Sequence, residues 1–124
     1  MNNKNANKSN IGKYGEEAAK NYLIAKGYKI IAQNYRFGGG EVDIIAKDNE
    51  YIVFIEVKYR RGTNFGNPAD AITLQKQQKI INTANEYLLK SNLYETDRRY
   101  DTITIFGKEK LEIEHTIDAF WATS

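Results

Sequence analysis

Apolar and polar positions change period several times along the chain, and each change marks an element. Over residues 11–26, Ile11, Ala18 or Ala19, Tyr22, Leu23 and Ala25 recur near 3.6 residues, which predicts a helix, and Gly27 suits its stop. Residues 28–36 then read as a strand, followed by a flexible corner of Gly38, Gly39 and Gly40. Two further strands, 41–46 and 51–59, form a hairpin about Lys47-Asp48-Asn49-Glu50, because Asp and Asn tolerate the left-handed backbone such a turn needs. A loop over 60–68 holds Gly62, Phe65 and Gly66. It leads to a long helix ending near Lys90, whose buried stripe is Ile80, Ile81, Ala84, Tyr87 and Leu88. Strands over 100–106 and 111–117 close the chain as a second hairpin around Gly107. Residues 1–10 lack the apolar side chains needed to offset ordering entropy and are expected to be a disordered tail. The expectation is thus one domain over 11–120, a short C-terminal tail over 121–124, and an α/β fold. Its order is α-β-β-β-α-β-β, a mixed sheet flanked by helices.

The first hairpin also carries the candidate chemistry. Glu41-Val42-Asp43 and Glu56-Val57-Lys58 both alternate charged with apolar residues, so on strands each triplet turns its charged residues to one face, about 7 Å apart. With Asp48 and Asn49 as the loop, Glu41 lies opposite Glu56 and Asp43 lies diagonally from it at roughly 7 Å. Sliding the pairing by two residues instead sets Asp43 opposite Glu56, and a slip of one would separate the charges.

Two polar residues stand where the helical patterns call for apolar ones. Glu16 shares a face with Ala19 and Leu23, whereas Glu17 sides with Lys20, Asn21 and Ile24, so Glu16 is the one expected to face the sheet. Gln77 precedes Ile80, Ile81 and Ala84 on the second helix and falls on its buried stripe. A buried carboxylate is costly unless paired or metal-bound, and the hairpin charges can supply Glu16 with a partner.

Composition narrows the chemistry. The 124 residues include no cysteine and one histidine, which removes thiolate chemistry and disulfides and leaves zinc and copper unsupported. No apolar run approaches a membrane span or the core of a signal peptide, so a cytoplasmic protein without a membrane partner is expected. A net charge of +2 does not demand a polyanion, but Lys58, Arg60 and Arg61 cluster directly after the second triplet. Asp43, Glu56 and the Val57 carbonyl offer hard oxygens suited to Mg2+ or Mn2+, which would polarise a phosphate and activate water. Lys58 could orient that water and Glu16 could complete the site directly or through water. Gln77 could hold the phosphate or the lysine, with Glu41 supporting from behind. Arg60, Arg61, Phe65 and Lys76 are the expected nucleic-acid contacts. His115 has no ligand or nucleophile partner in view, so a structural role is expected for it.

The spacing of Glu16, Asp43, Glu56 and Lys58 across an α-β-β-β-α-β core resembles the PD-(D/E)XK nuclease superfamily. More narrowly, Gly15-Glu16 with Ala18-Ala19, Tyr22-Leu23, Gly27-Tyr28 and the run Gly40 to Ile45 resemble the bacterial UPF0102, or YraN, family. Phe54 to Lys58, Phe65-Gly66, Lys76-Gln77 and Asp118-Ala119-Phe120 extend the likeness across residues 11–120. One departure is Val42 before Asp43, where the superfamily pattern has proline. The resemblance implies a restriction-endonuclease-like fold and nucleic-acid binding, with DNA the expected partner, and a Mg2+- or Mn2+-dependent nuclease. The alternative is a binding module on the same fold that does not cut. A homodimer is the arrangement that concerted double-strand cutting would require.

Overall fold

The computed structural model describes residues 4–60, 72–107 and 110–122. Its elements are α1 (Lys4–Ala25), β1 (Lys29–Phe37), β2 (Gly40–Asp48), β3 (Tyr51–Arg60), α2 (Leu74–Lys90), β4 (Arg98–Phe106) and β5 (Glu112–Phe120). The expected order is therefore observed. α1 begins at Lys4, ahead of the start that apolar spacing predicts at residue 11. Once a turn is nucleated, each further residue adds a hydrogen bond at small ordering cost, so the helix takes up residues that composition alone assigns to a tail.

The strands lie in one sheet in the order β1-β2-β3-β4-β5. All neighbours are antiparallel except β3 and β4, whose parallel pairing needs the α2 crossover between them. The two helices cover opposite faces. Ile80, Ile81, Ala84 and Leu88 of α2 pack with Val42, Ile45, Phe54, Tyr100 and Phe120, while Ala19 and Leu23 of α1 pack with Ile44, Ala46, Val53, Ile55, Ile103 and Ile105. Burial on both faces explains why β2 and β3 read as near-continuous apolar runs.

β2 departs from strict alternation in a way that matters for the site. Val42 and Ile45 both join the α2 core and Ile44 and Ala46 the α1 core, so the period of two breaks around Asp43. On the neighbouring strand Ala32 and Tyr35 likewise both pack toward α2, and Asn34 between them has a left-handed backbone, φ 54°. The β2–β3 register runs from Asp48 opposite Tyr51 to Ile44 opposite Ile55, making Asn49 (φ 53°) and Glu50 the loop residues. Of the two registers the sequence allows, the slid one is found. It carries Asp43 toward Glu56, and the loop at Asp48 and Asn49 is replaced by one a residue later.

The β1–β2 turn is held against α2. Gly40 is buried, and a Cβ there would lie 2.4 Å from the Thr83 hydroxyl and 2.8 Å from the Lys79 carbonyl, so only glycine fits. α2 itself starts at the N-cap Thr73, whose side chain accepts from the Lys76 amide at 3.1 Å. These two contacts bring the first turns of α2 over the ends of β2 and β3.

Candidate nuclease site

Beyond Ile44 and Ile55 the backbone ladder between β2 and β3 stops, and a side chain takes over. The Val57 amide donates to the Asp43 carboxylate at 2.7 Å, which ties the diverging strands and fixes Asp43 beside Glu56. Both carboxylates are nearly buried, at 9% and 7% exposure. Burial first, and then the charge of Glu56, push the Asp43 carboxyl up to about 8 despite the Val57 amide, with Glu16 and Glu41 adding to the rise. A buried carboxyl so crowded by negative charge marks an electrostatic imbalance that a cation would relieve.

One cation is already supplied by the protein. The Lys76 ammonium meets the Glu56 carboxylate at 2.8 Å, and that contact, followed by the charges of Asp43 and Glu41, raises the Lys76 pKa against the opposing effect of burial. A cavity of about 360 Å³ opens here, lined by Gly40, Glu41, Asp43, Glu56, Lys76 and Lys79 among others.

The remaining predicted residues distribute around this centre. Glu16 on α1 accepts from the Asn34 amide at 3.4 Å and acts on Asp43 through its charge, while Glu17 is exposed and pairs with Lys20, as the helical phase predicts. Glu41 lines the cavity and is held by Arg36 across the hairpin, a contact that pushes the exposed arginine further up. Lys58 is half-buried two residues beyond Glu56 on an unbroken stretch of β3, so it shares the Glu56 face. Gln77 donates its amide to the Ile72 carbonyl at 3.0 Å, which commits it to the entry of α2. Arg60 is half-buried where β3 ends against Phe106 of β4. Arg61 and Phe65 lie outside the described residues.

Three features were not anticipated. Lys79 joins the cavity from the turn after Lys76, Asn34 reaches Glu16, and Lys76 pairs with a carboxylate. The i to i+3 spacing of Lys76 and Lys79 was the available signal. A second polar centre lies on the α1 face. Arg99, at the start of β4, is buried and donates to both oxygens of fully buried Asp101, each at 2.9 Å, and to Asp48 at 3.0 Å. His115 meets the same carboxylate at 2.8 Å and Tyr22 at 3.1 Å. The Asp118 amide adds a bond at 3.0 Å where β5 is irregular. Despite burial, the His115, Arg99 and Asp118 bonds hold the Asp101 carboxyl below the usual range. The network joins β2, β4, β5 and α1 and gives His115 a structural role.

A model of the family described as "Uncharacterised protein family UPF0102" matches residues 15–105, which contain Glu16, Asn34, Glu41, Asp43, Glu56, Lys58, Lys76 and Lys79. The chain belongs to the UPF0102 family. It is 42% identical to a UPF0102 protein of Prosthecochloris aestuarii over 119 residues, 90% of this chain and 94% of the relative. Similarity to UPF0102 proteins of Clostridioides difficile and Lachnoclostridium phytofermentans is 44% and 46% identity, covering 92% of this chain in each case and 99% and 98% of those relatives. The matched residues 15–105 hold β1 to β3, α2, nearly all of β4, the second half of α1 and the carboxylate pair. Among the described residues, no helix is long and apolar enough to cross a membrane.

Proposed function

We propose that this UPF0102 chain is a Mg2+- or Mn2+-dependent nuclease with a restriction-endonuclease-like core, hydrolysing phosphodiester bonds of nucleic acid, with DNA the favoured substrate, in a cytoplasmic setting. The observation that carries the proposal is the Asp43 carboxylate bonded to the Val57 amide, which locks Asp43, Glu56 and the Val57 main chain at the mouth of a lysine-lined cavity.

The donor set fits a hard divalent cation. Asp43 and Glu56 are oxygen ligands whose crowding favours positive charge between them, Glu16 can contribute through water, and the Val57 carbonyl adds a neutral oxygen. Among the described residues no group of three Asp, Glu, His or Cys side chains is gathered to hold a metal ion, so water and phosphate oxygens would fill the other positions. When bound, such a cation supplies Lewis-acid polarisation of the phosphate and a lower pKa for attacking water.

The chain's own groups account for the rest. With a cation bound, Asp43 and Glu56 would both be ionised and hold negative charge where the water must lose a proton. Lys58, on the Glu56 face, orients that water and balances charge as the water oxygen bonds to phosphorus and its proton passes to solvent, while the opposite P–O bond breaks and the departing oxygen takes a proton from solvent water. Lys76 and Lys79 bind phosphate oxygens at the cavity wall. Arg60, Arg61 and Phe65 would extend the contact along the strand, and a symmetric pair of chains would allow both strands of a duplex to be cut in one encounter.

The test is a panel of branched, single-stranded and duplex DNA incubated with magnesium or manganese. Cleavage by the wild type and its loss in Asp43→Asn is expected. Equal cleavage by both proteins would overturn the assignment.

One observation favours a second reading. Glu56 is neutralised internally by Lys76, which would suit a module that binds nucleic acid without cutting it. Metal-independent DNA binding with no cleavage of any substrate would select that reading.

A further inference from the structure

Glu56 is paired across the cavity by a lysine on another element. This contact joins the two partners unequally: the Lys76 side chain is 51% exposed on the first turn of α2, while the Glu56 side chain is 9% exposed on a central strand. If the pair opens, the lysine is the partner that moves. Its long stem reorients at little cost, whereas Glu56 is held by the sheet.

A divalent cation on Asp43 and Glu56 would need the carboxylate oxygen to which the ammonium now donates, and it would set two positive centres against each other. Cation and ammonium therefore compete for Glu56. The displaced ammonium has a destination nearby. Lys79 lines the same cavity from the same face of α2 and forms no ion pair among the described residues, so the two ammonium groups together suit a phosphate.

Resting on the cation site of the proposed function, we propose that Lys76 is an exchangeable counter-ion. It neutralises Glu56 in the cation-free protein, is released when Mg2+ or Mn2+ binds, and then joins Lys79 in holding a phosphate of the nucleic-acid chain. The two ligands accordingly bind with positive cooperativity. Each raises the affinity for the other by the same factor, because coupling between binding equilibria is reciprocal. Lys76 thus distinguishes polyanion bound with metal from polyanion bound without it.

The experiment measures binding. Titration calorimetry of Mn2+ into the wild type, Lys76→Met, Lys76→Arg and Lys79→Met is combined with anisotropy of a short fluorescent DNA oligonucleotide in chelator or Ca2+, which holds off cleavage. Lys76→Met is expected to bind Mn2+ about tenfold more tightly than wild type, and Lys79→Met to gain much less, since it removes the same charge without opening a pair. Lys76→Arg is expected to stay near wild type. In the wild type Ca2+ is expected to tighten the oligonucleotide by about tenfold, with most of that coupling lost in Lys76→Met. Equal gains in Mn2+ affinity for Lys76→Met and Lys79→Met would overturn the exchange and leave the metal site standing. Absence of Mn2+ binding in every protein, with or without oligonucleotide, would instead overturn the metal site and the exchange with it.

Discussion

The Val57 amide and the Asp43 carboxylate are joined by a 2.7 Å hydrogen bond at the point where β2 and β3 part. Asparagine can accept the same bond through its amide oxygen, so Asp43→Asn tests charge while preserving the local fold. Asp43→Asn, Glu56→Gln and Lys58→Ala are each expected to lower cleavage at least about 100-fold, because they belong to one constellation. Circular dichroism should show unchanged structure while DNA binding survives better than cutting.

Stability should carry the mark of the same carboxyl. Its folded pKa, about 8, lies above the ordinary carboxylate value of 3.8, so the folded state binds the extra proton in that window and the wild type loses stability as pH rises through it. Each unit of displacement weighs about 1.4 kcal/mol, so Asp43→Asn is expected to exceed wild type by more than about 1 kcal/mol at pH 8 without metal. At pH 4 the two should nearly coincide. Urea melts in chelator at both pH values measure the difference; a constant offset would show that the charge of Asp43 is not its source.

Metal should narrow that gap. A cation binding only the folded wild type adds about 2.7 kcal/mol when its free concentration is a hundred times its dissociation constant, and Asp43→Asn should lose most of this response. Thermal melts in chelator, Mg2+ and Mn2+, with and without a short DNA, compare the two. Identical shifts in every condition would remove Asp43 from the metal site.

Gly40→Ala tests how the site is mounted. The added methyl meets Thr83 and the Lys79 main chain, so a loss of about 1–3 kcal/mol is expected from overpacking. Because the helix that carries Lys76 and Lys79 must yield, DNA affinity should fall as well. Thr83→Ala with Gly40→Ala removes the hydroxyl but would still face the Lys79 carbonyl, and its denaturation midpoint should recover only in part.

The Asp101 centre predicts a contrast. Asp101→Ala leaves buried Arg99 without its principal partner, which is expected to cost about 3–5 kcal/mol. Its metal affinity, measured at a temperature where the variant remains folded, should match wild type because the network lies on the α1 face. A large loss of Mn2+ affinity would mean that the two centres are coupled.

Element order and the carboxylate pair were legible because periodicity carries them. Ile80, Ile81, Ala84 and Leu88 mark the core face of α2, and the alternating charges of Glu56 and Lys58 mark one face of β3. The hairpin register was left between two choices, since a slip of two keeps every side chain on its face and the turn sequence accommodates either loop. Gln77, expected on the buried stripe, is half-buried, and its bond to Ile72 depends on how the chain enters α2. Arg99 was missed for a different reason. A charged residue at a strand end looks solvated until Asp101, Asp48 and Tyr28 are brought around it by tertiary pairing.

The parallel β3–β4 pairing also sets an order of assembly. The β2–β3 hairpin closes over a two-residue loop, whereas β4 can join β3 only after the whole α2 crossover has been traversed. Loop-closure entropy makes the first step fast and the second slow. The clustered carboxylates are therefore expected to come together early in folding, before α2 docks and brings Lys76 to them. Divalent cations or moderate salt present during refolding should screen that repulsion and raise the refolding rate, so the ionic conditions that serve the finished site also help the chain to reach it.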